Sequence, residues 1–449
     1  MNKEKKIKLM DLDPEILAEA LLDLAAHSEA ADDLIERLIS TSKENIQRFK
    51  KKLTSLKRSR RFIDWREVFE YSQELSMLLQ DLKAGVTDPL TGVELVAAFY
   101  EADEGIIGHC DDSDGCVGDI FRVEAKELFV EYASHCTDKE IIAEIILKLN
   151  RKDDYGLRST LIACAGEYLP EPVIRLMISE LQKWAEDEKD EYNRNHYLML
   201  TGLLARQIKD AELFEKTRIA SRGKPSTAAI IDIAQVYLES GNVETAHSWI
   251  KKIPTGETFM SREREQLLLE IYKKQGDTEK LTELLSRKFR GYPSAGTLQE
   301  LLNVIGNDRR DQVIADEAAR ILGNTTLRAS DAEFLISTGR IDEAEEYLIN
   351  RAEQLNGNSY GTLLPLAEAM ELENRNLAAS LIYRSLLVSI LERGYIKAYP
   401  HGVRYLKKLN KLAAAVSEWK NFDNHEAFKS RIYQDHKWKT SFWSKAGIK

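Results

Sequence analysis

IIDIAQVYLESGNVETAHSWIKKI, residues 230–253, reads as two helices joined by a tight turn. Tyr237 stands four residues before Gly241, and Ala246 stands five after it. The same spacing returns 35 residues later, with Tyr272, Gly276 and Leu281 in the three slots. Helical hairpins of the tetratricopeptide type repeat with a period of about 34 residues. Glycine suits the turn because it enters the left-handed region at the C′ position at little cost. A small residue in the second helix lets the two helices approach closely, and the aromatic residue fills the space between successive hairpins. Asn242 and Asp277, each directly after its glycine, suit the N-cap of the second helix. Such an array presents a surface rather than an enclosed pocket. The stretch therefore decides the fold class while leaving the partner open.

The repeat continues with falling fidelity. Leu335, Gly339 and Ala344 occupy the three slots once more, followed by Met370, Asn374 and Ala379. Leu302 and Gly306 mark a degenerate unit with shifted spacing. The expected fold is all-α, a superhelical array of antiparallel helix pairs resembling a tetratricopeptide-like α-solenoid.

Composition agrees with this reading. The chain has 449 residues with only 9 prolines and 23 glycines, which favours long helices over a strand-and-turn architecture. No apolar run approaches the ~18 residues of a membrane span. The basic start of the chain runs into Asp11, Asp13 and Glu15 without an apolar segment, so it does not read as a secretory signal. Four cysteines are too few for a disulfide framework, and free thiols in a cytoplasmic protein are the expectation. The net charge of −10 argues against a nucleic-acid coat.

The organisation read from the sequence has four parts. Residues 1–11 form an N-terminal arm, and residues 12–222 a helical domain. Repeats fill 223–395, and a cap with a basic aromatic tail fills 396–449. In the helical domain, residues 14–26 give an amphipathic helix with Ile16, Leu17, Ala20, Leu21, Leu24 and Ala25 in its apolar stripe. A second helix near 29–40 would turn Leu34, Leu38 and Ile39 inward.

Four constellations could carry chemistry. The first is the loop Asp111, Asp112, Ser113, Asp114, Gly115. With Gly115 at the sixth position of a calcium loop, the first and twelfth positions fall on Cys110 and Phe121, where carboxylates are required. Asp112 and Asp114 remain weak metal candidates. The structural expectation is a turn in which Asp119 caps the helix from Ile120 and the carboxylates diverge. The second is His109, Cys110, Cys116, His135 and Cys136, whose spacing matches no common zinc site. Buried thiols are the expectation there. The third is the basic segment 43–66, with nine cations against Glu44 alone in residues 43–61. Lys50, Lys51, Lys52, Arg58, Arg60 and Arg61 could meet phosphates, while Phe62 and Trp65 could stack on bases. The competing expectation has Phe62, Ile63 and Trp65 plugging the core and Asp64 capping the next helix. The fourth is the tail around Trp438, Phe442 and Trp443, expected to tuck in as a terminal cap.

No Walker loop, Gly-x-Ser-x-Gly elbow or His-Glu-x-x-His pair is present. The chain therefore reads as a non-enzymatic scaffold without cofactor. Its partner would be a protein or peptide held on the first helices of the repeats by Gln235, Glu239, Lys273 and Lys274. Nucleic acid on residues 43–66 is the alternative, and no membrane association is expected.

Several segments are similar to an uncharacterised bacterial family. They are Arg60 to Glu67, Asp111 to Gly115 with Gly118 and Asp119, Ala378 to Arg384, Lys397 to Tyr399, Arg404 to Leu406, and Ser441 to Trp443. The resemblance runs from about residue 12 to 443 and implies an all-helical, tetratricopeptide-like fold without naming an activity. Related C-terminal segments occur in proteins carrying SWIM-type zinc fingers. This chain lacks the finger's cysteine and histidine pattern, so the nucleic-acid role implied there does not transfer.

Overall fold

The computed structural model describes residues 5, 9–28, 31–32, 35–36, 39–58, 61–222 and 224–448. These residues are helical with short turns, and the one β-type pairing among them is an isolated bridge between Ile63 and Cys110. The chain divides into two compact units, Met1–Leu267 and Leu268–Lys449. The first unit thus takes in the first repeat hairpin.

Consecutive antiparallel helices pack as the 35-residue register requires. In the first unit, Glu191–Gln207 lies between Glu171–Asp187 and Ala211–Arg222, and Thr227–Glu239 pairs with Val243–Ile250. In the second, Tyr360–Leu372, Asn376–Arg393 and Tyr399–Ala413 pack in succession.

One hydrogen bond defines the repeating turn. The carbonyl of Tyr237 accepts from the N–H of Asn242 at 2.9 Å, and that of Tyr272 from Asp277 at 3.1 Å. Leu335 and Arg340 repeat it at 2.8 Å, as do Met370 and Arg375. Between each pair lies a left-handed residue: Gly241, Gly276, Gly339 and Asn374, with φ of 88°, 68°, 76° and 58°. This six-to-one bond is the Schellman closure of a helix. Asn242 and Asp277 then cap the second helix of their hairpins by accepting from Thr245 and Lys280.

The structure adds a hairpin that the sequence concealed. The Ala205 carbonyl accepts from Asp210 at 2.9 Å, and Lys209 between them is left-handed at φ 58°. Lysine in the glycine slot hid the turn. Phe214 occupies the slot that Ala246 fills later and is buried, and the facing helix carries Gly202, where a Cβ would meet Thr217 Oγ1 at 3.1 Å. In the later hairpins the slot residues Ala246, Ala344 and Ala379 are fully buried. Tyr237 is buried too, and its hydroxyl donates to Glu215 of the preceding helix at 2.7 Å. Around Gly306 the closure differs, with Asn307–Arg309 forming a 3-10 turn before the next helix.

The start of the chain departs from expectation. Helix Pro14–Ala25 buries none of its residues, and Ile16, Leu22 and Leu24 are exposed. Ile39 is exposed, not inward, while Leu34 and Leu38 lie outside the described residues. Amphipathic spacing identifies an apolar face but not whether the same chain supplies a partner for it. At the other end the aromatic tail is partly tucked in. Phe442 and Trp443 are buried, and the Trp443 indole donates to the His436 carbonyl at 2.9 Å. Trp438 stays exposed.

Candidate functional site

The basic helix, Ser42–Arg58, is held by its inward residues Phe49 and Leu53, one turn apart and both buried. That register sends Lys50, Lys51, Thr54, Ser55 and Arg58 outward, where they line one shallow surface concavity. Among the described residues, no ion pair engages Lys50, Lys51 or Arg58. The rest of the cluster is dispersed. Arg48 pairs with Glu36 at 3.1 Å, Arg61 pairs with Glu67, and Lys52 is half-buried. Arg60 lies outside the described residues.

Phe62 and Trp65 are corrected from core plugs to surface groups, being 60% and 63% exposed. For Phe62 the reason is the backbone of Ile63. Its N–H donates to the His109 carbonyl at 2.8 Å, and its own carbonyl accepts from Asp111 at 2.9 Å. In an extended segment successive side chains point to opposite sides. Ile63 faces the core, so Phe62 and Asp64 must face outward. Phe69 is exposed as well, and the Arg66 guanidinium lies 5.1 Å from the Trp65 ring centroid. Asp64 accepts from the N–H of Arg66 at 2.8 Å, which opens the next helical turn. Beyond Arg61 the surface changes sign, with Glu67, Glu70 and Glu74 lining the neighbouring cleft.

In the Asp-rich loop the carboxylates diverge. Asp112 accepts from Val117 at 2.7 Å and from Gly118 at 2.8 Å, capping the turn that begins at Cys116. Asp112 is thus the capping residue. Asp119 lies one turn inside the helix, 3.7 Å from Arg122. A carboxylate caps a helix from before its first turn, where free N–H groups converge, and Asp119 has passed that point. Asp111 accepts from Ser113. A π-helical turn, Ile120–Ala125, comes next. Among the described residues, no group of three His, Cys, Asp or Glu side chains is placed to hold a metal ion. Cys110, Cys136 and Cys164 are buried and Cys116 partly so, all unpaired. Burial pushes the Cys110 and Cys164 thiols up to about 11. His109 and His135 each bond a carbonyl one turn back on their own helix.

The repeat residues fall into two groups. Gln235 donates to Glu239 at 3.1 Å, and Glu239 is held by Arg206 at 2.8 Å. Arg206 and Arg218 also share Asp232, so this face is internally neutralised. Lys273 and Lys274 are exposed and belong to the second unit.

Sequence reading missed one half-buried and one buried arginine. Arg158 grips Asp103 through Nε and Nη2 at 2.8 and 2.6 Å, a pair separated by 55 residues. Arg384, in the second unit, lies against Trp419 and Phe428. No local spacing connects either residue to its partners.

The hairpins, their shared turn closure and the absence of strands among the described residues define an all-helical protein of the repeat class. The chain belongs to the family described as "Family of unknown function (DUF6880)", which matches residues 2–445. A solved structure titled "Circular tandem repeat protein with novel repeat topology and enhanced subunit contact surfaces" is similar at 15% identity, over 95% of this chain and 96% of that one. Its TM-score of 0.14 is too low to carry an argument. No curated protein matches the chain. Among the described residues, no helix is long and apolar enough to cross a membrane.

Proposed function

We propose that the chain is a non-enzymatic scaffold that binds a protein or peptide partner. The observation that carries this is the unburied apolar face of helix Pro14–Ala25. Its stripe residues Ile16 and Leu24 are more than half exposed and Leu17, Leu21 and Ala25 only half-buried, with Leu9, Met10 and Leu12 exposed just before them. Apolar groups gathered in this way mark interaction surfaces, and an amphipathic helix is a recurrent element of peptide and protein recognition. A cytoplasmic setting fits the four unpaired thiols.

The test is capture from native lysate with crosslinking, using wild type beside an Ile16→Glu, Leu24→Glu variant. A specific protein should be recovered by wild type and lost with the variant. Recovery of nothing specific, or equal recovery by both, ends this reading.

A second reading is favoured by one observation of its own. Lys50, Lys51 and Arg58 share an outward face without ion partners among the described residues, and Trp65 is exposed nearby in sequence. That combination supports nucleic-acid binding through phosphate contact and base stacking. Retardation of DNA or RNA at low salt is the result it requires.

A further inference from the structure

The first unit presents two exposed helix faces of opposite charge and equal period. On helix Pro14–Ala25, Glu15, Glu19 and Asp23 recur every four residues and form one exposed row. Ile16, Ala20 and Leu24, each one residue further on, form a second exposed row beside it. The third row, Leu17, Leu21 and Ala25, is half-buried. Among the described residues, no ion pair engages Glu15, Glu19 or Asp23. Residues 11–25 hold five acids and no cation.

The basic helix, Ser42–Arg58, repeats this period with the opposite sign. Lys50, Thr54 and Arg58 form one exposed row, and Lys51 and Ser55 another. Together they line a concavity of about 740 Å³, to which helix Pro14–Ala25 of the same chain adds no residue among those described. Glu15 to Asp23 and Lys50 to Arg58 each advance by eight positions, roughly 12 Å along a helix axis. An acid row and a cation row of that common length can pair from end to end. The methylene stems of Lys50 and Lys51 and the methyl of Thr54 give the row Ile16, Ala20 and Leu24 apolar surface to cover.

We propose that the acidic helix docks on the basic face of a second copy of this chain. This rests on the scaffold reading and names its partner. Every copy carries both surfaces, so two copies that exchange helices close a two-fold dimer with two identical contacts. The two surfaces match each other and stay apart within one chain, which selects a second copy over an unrelated protein. One contact then accounts for the uncovered apolar row and for the unpaired charges on both helices.

The purified full chain is followed by sedimentation equilibrium over a range of concentrations. Wild type should approach twice its 51.2 kDa mass as concentration rises. Raised salt should weaken the dimer, because exposed pairs are screened. One variant, Glu15→Lys with Glu19→Lys and Asp23→Lys, makes the helix basic. A second, Lys50→Glu with Lys51→Glu and Arg58→Glu, makes the face acidic. Each alone sets like charges against each other, and dimer affinity should fall about a hundredfold or more. Mixed in equal amounts, the two variants bring opposite charges together at both contacts and should form a heterodimer. Circular dichroism checks that each variant is folded. A wild type that stays monomeric at every concentration overturns the proposal, whether or not either variant folds. Variants that dimerise like wild type, or a mixture of folded variants that stays monomeric, overturn it as well. The scaffold reading fails separately, since a monomeric wild type that captures a different protein through Ile16 and Leu24 keeps that reading and ends this one.

Discussion

Replacing Lys50, Lys51 and Arg58 together by alanine separates the two functional readings. All three project from the solvent side of a helix anchored by buried Phe49 and Leu53, and alanine favours helix. The fold should therefore survive, which circular dichroism and thermal melts would confirm. The size of the effect comes from counting free cations. Arg48 and Arg61 are engaged by Glu36 and Glu67, and Lys50, Lys51 and Arg58 are the cations that line the concavity, so three side chains are counted for phosphates. Each phosphate contact adds about −0.9 to the slope of log affinity against log salt on duplex DNA, and about −0.7 on single strands. The slope should be about −2.7 on duplex and −2.1 on single strands. Raising salt from about 50 to about 200 mM then weakens duplex binding roughly forty-fold. Fluorescence anisotropy of labelled oligonucleotides measures both slopes. In the triple variant the dependence should be nearly flat. Trp65→Ala should weaken single-strand binding by about 1–3 kcal/mol and leave the slope unchanged. Absence of binding by wild type at low salt, or a triple variant that keeps the wild-type slope, refutes the reasoning.

Other perturbations test the scaffold. Asp103→Ala strands the half-buried Arg158 guanidinium and should cost about 3–5 kcal/mol in denaturant unfolding, while the paired Asp103→Leu, Arg158→Met variant should cost much less. Lys209→Gly and Asn374→Gly should each stabilise by about 0.5–1 kcal/mol, because both positions are left-handed; lower melting temperatures would contradict the turn assignment. Asp112→Ala removes a carboxylate that accepts two N–H bonds and should cost about 1–2 kcal/mol. Melts of wild type in calcium, magnesium, manganese or chelator should superimpose, and an upward shift with one ion would restore a metal role to the loop. His425 has a lowered pKa, from burial first and then from Arg384. Protons therefore bind the unfolded chain more readily, so stability is full above the ordinary histidine range and falls as pH drops below about 6.5. His425→Gln should reduce that dependence in pH-resolved unfolding, leaving the part from His436, whose pKa burial also lowers.

Much of the architecture was legible because it rests on local rules. Gly241, Gly276 and Gly339 mark left-handed turns, Asn242 and Asp277 cap the second helix of their hairpins, and Ala246 and Ala344 permit close helix contact. Each of these needs only a few neighbouring residues to state. The hairpin at Lys209 was invisible for the same reason, since lysine carries no turn signal and only the folded backbone, left-handed at Lys209 between Ala205 and Asp210, reveals the repeat. The basic helix forms at Ser42–Arg58, close to the expected span, but which of its cations are free was not legible. Whether a cation is free depends on a carboxylate twelve residues away for Arg48 and six for Arg61. The outward turn of Phe62 was fixed by Ile63 pairing with the backbone at His109 and Asp111, a contact with no local signature.

The sequence by itself determined the helices, their turns and the period that stacks them, because propensity, capping and amphipathic spacing act over one hairpin. Only the tertiary structure decided which apolar faces find partners, which charges are neutralised, and that the buried Arg384 guanidinium meets no carboxylate among the described residues. Those outcomes depend on residues distant in the chain, and burial turns a missing partner from a minor loss into a large one.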